Sequence, residues 1–438
     1  MGGAEGPATT MHRRQLLRAA GAYALAGLAA PLAGACARRA RYPAERPELV
    51  LFNHWTASGE ADALADLLSL YQQYFPAVQV VNATVQAGSA NSYDLTLRDR
   101  LLSGDPPDTF QVAAGYALLD TWARGRYLEP LTNLWRVEGW LDAFPPLLRD
   151  QVSLGGEIYA VPANVHRGNL LWYHRRLFEQ HGLAPPTTFD ALFDAAERLR
   201  ARGVAPLAYG SRESADLAHL FETMLLGVAG PDFYRDLFAG RAAWTDPPVA
   251  EALRLLDRLL GYLNPDHQAL TWDLAAALLQ DGQAAMTLMG DWVKGYFTAH
   301  GWAPGADFDA LPAPGTQGSY VVICDTFGLP RGVAGRAVTI GFLKLLGSVE
   351  GQNAFNPPKG SIPARLDAPR ADYDAIAQRN RADFARDALV LSAAHGSATP
   401  ELFADALRQT LVRYRERPDV DATTRRLERL AQSLGASA

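Results

Sequence analysis

After residue 47 the hydrophobic and polar positions fall into alternating short runs and helical stripes. Residues 48–53 (Glu-Leu-Val-Leu-Phe-Asn) form a short apolar run that predicts a buried strand. Residues 60–74 place Leu64, Leu67, Leu68 and Tyr71 three and four apart, the stripe of an amphipathic helix. A second strand is predicted over 78–85, a helix over 93–103 and a strand over 109–112. Strand and helix in alternation imply a parallel sheet, because parallel neighbours need a crossover between them.

From Tyr159 the pattern changes. Residues 159–162 and 170–173 read as strands that cross between lobes. Helical stripes then run over 188–202, 216–226, 248–260 and 273–280. Residues 284–289 predict a strand, a helix opens at Trp292, and 319–329 is strand-like throughout. From Val338 onward the chain reads as largely helical, and it carries no internal repeat. Two α/β lobes joined by crossing strands leave a cleft, and such clefts are where α/β proteins take ligands.

Composition fits this picture. A chain of 438 residues, 48% hydrophobic, has enough apolar surface for two cores. Its net charge of -6 argues against nucleic acid as a partner. Apolar runs beyond the N-terminus are broken by charge, Gly or Pro, so no membrane span is expected there. Lysine occurs only at Lys294, Lys344 and Lys359. A compact ammonium does what a guanidinium cannot in a tight polar pocket, so each Lys is either such a group or a surface remnant.

The N-terminus reads as a processing segment. His12-Arg13-Arg14-Gln15-Leu16-Leu17-Arg18 is a twin-arginine pattern, followed by an uncharged small and apolar stretch over 19–32. Leu32-Ala33-Gly34-Ala35-Cys36 resembles a lipobox, so residues 1–36 are expected to be an export signal with lipidation at Cys36. Residues 37–47, polar, basic and Pro-containing, suit a tether. The expectation is an exported protein, periplasmic or at the cell surface, touching the membrane only through this lipid. The one other cysteine, Cys324, sits in an apolar run and reads as a small buried hydrophobe.

The polar and aromatic residues near turns suit sugar recognition. A pyranose offers apolar CH faces for an aromatic ring and hydroxyls that both donate and accept. Asn53-His54-Trp55-Thr56-Ala57-Ser58-Gly59-Glu60 joins the first strand to the first helix. There Trp55 either stacks on a sugar or fills the core, and Glu60 either accepts from sugar hydroxyls or favours the helix N-terminus. Gln111 is placed at a strand end, as a hydroxyl binder or a surface amide. His166, Arg167 and Asn169 lie at the lobe crossing, in a site or in a hydrogen-bonded hinge. Asp291 is a natural N-cap and Trp292 a cleft candidate. Trp244 and Trp272 are further aromatic candidates, for the cleft or for the core. Asp325, Lys359 and His395 each stand beside Gly, Pro or a strand end, which predicts loops. No metal-ligand spacing, phosphate loop or nucleophile motif stands out, so neither metal nor cofactor is expected.

At these residues the chain resembles a known family. The His54-Trp55 to Glu60 segment, Gly104-Asp105-Pro106-Pro107-Asp108 to Gln111, and His166-Arg167 through Trp172-Tyr173 carry the resemblance. So do Gly290-Asp291-Trp292, Asp325-Thr326-Phe327, Lys359-Gly360-Ser361-Ile362-Pro363-Ala364-Arg365 and Ala394-His395-Gly396. Together they resemble the glucose/mannose-type sugar-binding proteins of bacterial ABC importers, in the extracellular solute-binding family 1. The resemblance implies a periplasmic-binding-protein type II fold, with one lobe from 48–157 and 321–375 and the other from 158–320 and 376–438. It implies sugar contacts at Trp55, Glu60, Gln111, Asp325, Lys359 and His395, with a Trp of the second lobe, and hinge closure around the ligand. It also implies a monomer that binds a monosaccharide, glucose first and galactose or mannose next, and presents it to a membrane permease without any catalysis. Members often carry a second Trp where Thr56 stands, so a disaccharide or another polyol is the alternative ligand. A glycosidase built on Glu60 and Asp325, and a purely adhesive lipoprotein, are the competing classes.

Overall fold

The computed structural model describes residues 48–85 and 90–434. The expected export signal, Cys36 and the tether all lie outside the described residues.

The first lobe is organised by its N-terminal strand. Glu48–Asn53 pairs in parallel with Gln79–Thr84 on one side and Thr109–Ala113 on the other. Asp325–Gly328 adds antiparallel to Thr109–Ala113, and Ala160–Pro162 antiparallel to it in turn, making a five-stranded mixed sheet. The helix Glu60–Tyr74 has the predicted bounds and buries Leu64, Leu67, Leu68 and Tyr71. Each fully buried Leu contributes roughly 1.5–3 kcal/mol.

The second lobe holds a four-stranded sheet in the order Phe308–Pro312, Leu170–His174, Ala284–Leu288, Ala205–Leu207. Helices Phe189–Arg200, Ser214–Phe238 and Pro247–Leu260 contribute to its core. The longest of these is kinked where Gly230 turns to φ 75° before Pro231, which cannot continue the hydrogen-bond ladder.

A third, small sheet stands between the two cores. Ser319–Ile323 pairs in parallel with Ala388–Leu391 and antiparallel with His166–Arg167. The pleat sends successive side chains to opposite faces. Tyr320, Val322 and Cys324 accordingly pack in the first core, while Val321 and Ile323 pack in the second. The stretch read as one strand over 319–329 is therefore two, in different sheets, separated at Cys324. Burial raises the Cys324 thiol well above its usual range, with Asp325 adding to it, as suits an inert buried hydrophobe.

Three glycines bring the lobes into contact beside the cleft. A Cβ on Gly59 (φ 77°) would lie 2.5 Å from the carbonyl carbon of Gly295, and one on Gly295 would lie 2.5 Å from the Pro358 oxygen. A Cβ on Gly360 (φ 91°) would lie 2.4 Å from the Asp291 oxygen. Only hydrogen fits at these positions, so the start of Glu60–Tyr74, the helix Trp292–Ala299 and the end of Val349–Lys359 meet closely. Among the described residues no helix is long and apolar enough to cross a membrane.

Candidate functional site

Between the lobes lies a cavity of about 440 Å³, an ordinary size for a small-molecule site. The first lobe lines it with His54, Trp55, Thr56, Glu60, Asp325 and Lys359, the second with Asp216, Trp272, Trp292 and His395. His166, on the small central sheet, forms part of the wall. A smaller recess of about 170 Å³ shares His54, Asp325 and His395 with it and runs on to Tyr93, Asp94, Arg98 and Trp122.

One charged centre is Lys359. Its ammonium pairs with the Glu60 carboxylate and lies 4.9 Å from the centre of the Trp55 ring. The sequence around it, Asn356-Pro357-Pro358, predicts a loop, yet the helix Val349–Lys359 runs through both prolines. Tertiary bonds override the local preference. Gln352 donates to the carbonyls of Pro162 and Leu346, Asn356 donates to those of Ala163 and Gln352, and Gly360 ends the helix left-handed. Glu60 is the first residue of its helix, where the exposed N–H groups favour its negative charge.

The other charged centre is Asp325. Gln111 donates to one oxygen at 2.7 Å and Asn164 to the other at 2.8 Å, with His166 Nε2 3.4 Å away. Burial alone would raise this carboxyl. The bonds from His166 and Asn164 and the nearby Lys359 charge outweigh burial and hold it far below the usual carboxylate range. His166 in turn donates through Nδ1 to Asp291, whose second oxygen accepts from the Arg167 backbone N–H at 3.0 Å. Burial works against a charged imidazole, but Asp291 prevails and raises the His166 pKa. Asp291 makes no side-chain cap to the helix Trp292–Ala299. It anchors His166 instead, because its backbone is already helical and the carboxylate is free to turn toward the hinge.

Aromatic groups complete the walls. Trp292 is set among His166, His219 and His395, with ring centres 5.4, 5.8 and 5.5 Å away. Trp55 is 2% exposed and leans on Phe327 and Phe355, so it supports Lys359 as much as it faces the cavity. Trp272 is only partly buried and reaches the cavity from the second lobe.

The structure thus gathers Trp55, Thr56, Glu60, His166, Trp272, Trp292, Asp325, Lys359 and His395 around one cavity. Gln111 stands behind Asp325, in mid-strand and not at a strand end, and lines the smaller recess. Three candidates are elsewhere. Asn169 donates to the Thr316 hydroxyl and the Ser319 carbonyl and accepts from the Val321 backbone N–H, away from the cavity. Trp244 is packed in the second core against Phe221, Phe238 and Phe403, where a large apolar side chain gains most from burial. The Arg167 guanidinium turns away to pair with Asp383 and Asp387 and stacks over Tyr320. Lys359 ends a helix instead of standing in a loop. Sequence reasoning missed His54, whose pKa burial lowers although Glu60 and Asp325 act to raise it, and Asn164, which orders both Asp325 and His166. His54 stands among other polar residues of a strand-to-helix turn and Asn164 alone among apolar neighbours, and only the pairing of distant strands gives either its meaning.

A family model described as bacterial extracellular solute-binding protein matches residues 57–353. An uncharacterised ABC transporter extracellular-binding protein of Pyrococcus horikoshii is 38% identical over 378 residues, covering 85% of each chain. A probable sugar-binding periplasmic protein of Brucella suis is 30% identical over 414 residues, covering 92% of this chain and 94% of that one. The solved structure of a bacterial solute receptor with a preference for β-D-galactopyranose superposes with a TM-score of 0.77 at 21% identity, covering 89% of this chain and 99% of the other. That likeness shows the fold, the two-lobed type II arrangement expected from the sequence.

Proposed function

The chain belongs to the bacterial extracellular solute-binding proteins, which bind and do not catalyse, and from that premise we propose that it captures a monosaccharide for an ABC importer. Glucose is the first choice, with galactose and mannose next. The observation that carries the reading is the pair of charged centres, Lys359–Glu60 and Asp325, set beside Trp292 and Trp272 in one cavity between two lobes. Fixed charges bracket hydroxyls and rings cover the CH face, which is what a pyranose requires. In this reading the loaded, closed form is the one that docks on the permease. The mature protein is a monomer held at the membrane by lipid on Cys36.

The smaller recess beside His54 and Asp325 favours one second reading, a disaccharide whose other ring extends toward Tyr93 and Trp122. Thermal unfolding with a panel of sugars separates the two. A ligand that binds only the folded form raises the melting temperature by mass action. A rise with glucose, galactose or mannose and none with maltose supports the first reading. The reverse supports the second, and no rise with any sugar removes both.

A further inference from the structure

Behind His395, on the side away from the cavity, lies a buried hydrogen-bonded chain that the sugar site does not account for. It begins at Glu222, a carboxyl 1% exposed on the helix Ser214–Phe238. Its Oε2 accepts from the backbone N–H groups of Ala393 (2.9 Å) and Ala394 (3.1 Å), and lies 3.1 Å from the Tyr234 hydroxyl, whose single proton also has the Leu391 carbonyl within 3.0 Å. Among the described residues its Oε1 has one hydrogen-bond partner, the Ser392 hydroxyl at 2.7 Å. The same hydroxyl oxygen lies 2.9 Å from His395 Nδ1 and accepts from the His395 backbone N–H at 3.2 Å. His219, Glu222 and His395 bring ligand-type atoms within 4.8 Å of one another, a spacing that invites a metal ion. The Ser392 hydroxyl already bridges Glu222 and His395, so the arrangement is better read as a path for protons.

We propose that Glu222, acting through Ser392, sets whether His395 presents a hydrogen-bond acceptor or a donor to the sugar. The donor inventory leaves two consistent states. With Glu222 ionised, the Ser392 O–H donates to Oε1, and the Ser392 oxygen accepts from His395 Nδ1–H. His395 Nε2 is then bare and faces the ligand as an acceptor. Two backbone N–H groups already occupy Oε2, so a proton on Glu222 is placed on Oε1, opposite the Ser392 hydroxyl. It then donates to the Ser392 oxygen, the Ser392 O–H donates to Nδ1, and the hydrogen of His395 moves to Nε2.

The two states interconvert with protons balanced. One proton arrives from solvent at His395 Nε2, Nδ1–H passes its proton to Ser392, and Ser392 passes its own to Glu222. The carboxylate becomes neutral and the imidazole is neutral before and after. His395 is the entry point because its side chain is 26% exposed, against 2% for Glu222.

The electrostatics permit this exchange near neutrality. Burial pushes the Glu222 carboxyl up to about 7, against the pull of its four donors. Burial, with His219 and Arg408, holds His395 well below the usual imidazole range, so it changes tautomer and not charge. The groups facing the chain are His219, kept neutral by burial with a pKa of about 4, Tyr234, Arg408, Asp325 and His166.

This inference rests on the sugar-binding reading for its consequence. A hydroxyl that donates its one proton to Asp325 can only accept from His395, so the Nε2–H state complements it. Affinity is expected to rise as pH falls through the titration of Glu222.

The test uses the tag-free chain beginning after Cys36, with ¹⁵N-labelled histidine and His395 assigned from a His395→Gln spectrum. Between about pH 8.5 and about pH 5.5, on either side of the Glu222 titration, the protonated nitrogen of His395 should change from Nδ1 to Nε2. Glucose affinity should rise over the same span by up to about tenfold, the worth of one hydrogen bond. Glu222→Gln is isosteric, and the two backbone N–H groups at Oε2 hold its amide oxygen there, so its NH₂ faces Ser392. It should show the Nε2–H tautomer and the higher affinity at both pH values. Ser392→Ala should uncouple the tautomer from pH.

A wild-type tautomer that does not change, or a Glu222→Gln spectrum identical to wild type at high pH, overturns the proposal. A tautomer change with no binding of glucose, galactose, mannose or maltose at any pH upholds the relay and removes the sugar reading instead.

Discussion

Replacing Lys359 by Ala removes the one ammonium that, among the described residues, lines the cavity, and the structure sets the size of the effect. The Lys359 side chain is 2% exposed and its partner Glu60 12% exposed, so the pair is nearly dry. A hydrogen bond from a charged group to a ligand contributes about 1.5–3 kcal/mol, so sugar affinity should fall roughly 10- to 150-fold. Glu60 is also left without its partner. Breaking a fully buried pair costs about 3–5 kcal/mol, and the residual exposure of Glu60 brings the expected stability loss to about 2–3 kcal/mol. Lys294 is the control. It is as buried, at 1%, and pairs with Asp374 at 2.7 Å, but that carboxylate caps the helix Ala375–Arg386 and does not line the cavity. Lys294→Ala should therefore lower the melting temperature while changing affinity less than about twofold, well under one hydrogen bond. Calorimetric titration of both variants, each below its own melting temperature, separates binding from folding. Equal and small changes in affinity for the two would refute the placement of Lys359 in the site.

Two further substitutions divide the tryptophans and the carboxylates. Trp244→Ala should cost about 3–5 kcal/mol of stability, read by denaturant unfolding, with unchanged affinity in the folded fraction. Trp272→Ala should do the opposite, weakening the sugar by about 0.5–1.5 kcal/mol with little change in unfolding. Asp325 is held below its ordinary value of 3.8, so its contribution to stability is complete above that pH and is lost on acidification through the lowered folded value. Asp325→Asn should flatten the acid limb of stability against pH and lower sugar affinity at neutrality. An acid limb as steep as wild type would show that Asp325 is not the group responsible.

How much of this could be read from the sequence depended on whether burial left a period behind. The helix Glu60–Tyr74 and strand Glu48–Asn53 are buried on one side or bounded by turns, and their bounds coincide with the expectation. The run Tyr320–Cys324 is buried on both faces, one in each lobe, so nothing in its hydrophobicity marked the change of sheet after Ile323. Lys359 lines the cavity, but Pro357 and Pro358 hid the helix that positions it, since the bonds from Gln352 and Asn356 are long-range. Asp291 looked like a cap, and only the crossing of His166 beside it shows another use. Glu222 sits in an apolar helical stripe, where a lone carboxyl carries no signal until Ser392 and His395 arrive from 170 or more residues away.

In the reading proposed above, the cavity closes on one monosaccharide. Calorimetric titration of the tag-free chain beginning after Cys36 with glucose tests it most directly, with galactose, mannose and maltose alongside. Saturable one-to-one binding of a monosaccharide is expected, lost or strongly weakened in Lys359→Ala. Heat with maltose alone, or none with any of the four sugars, would contradict it.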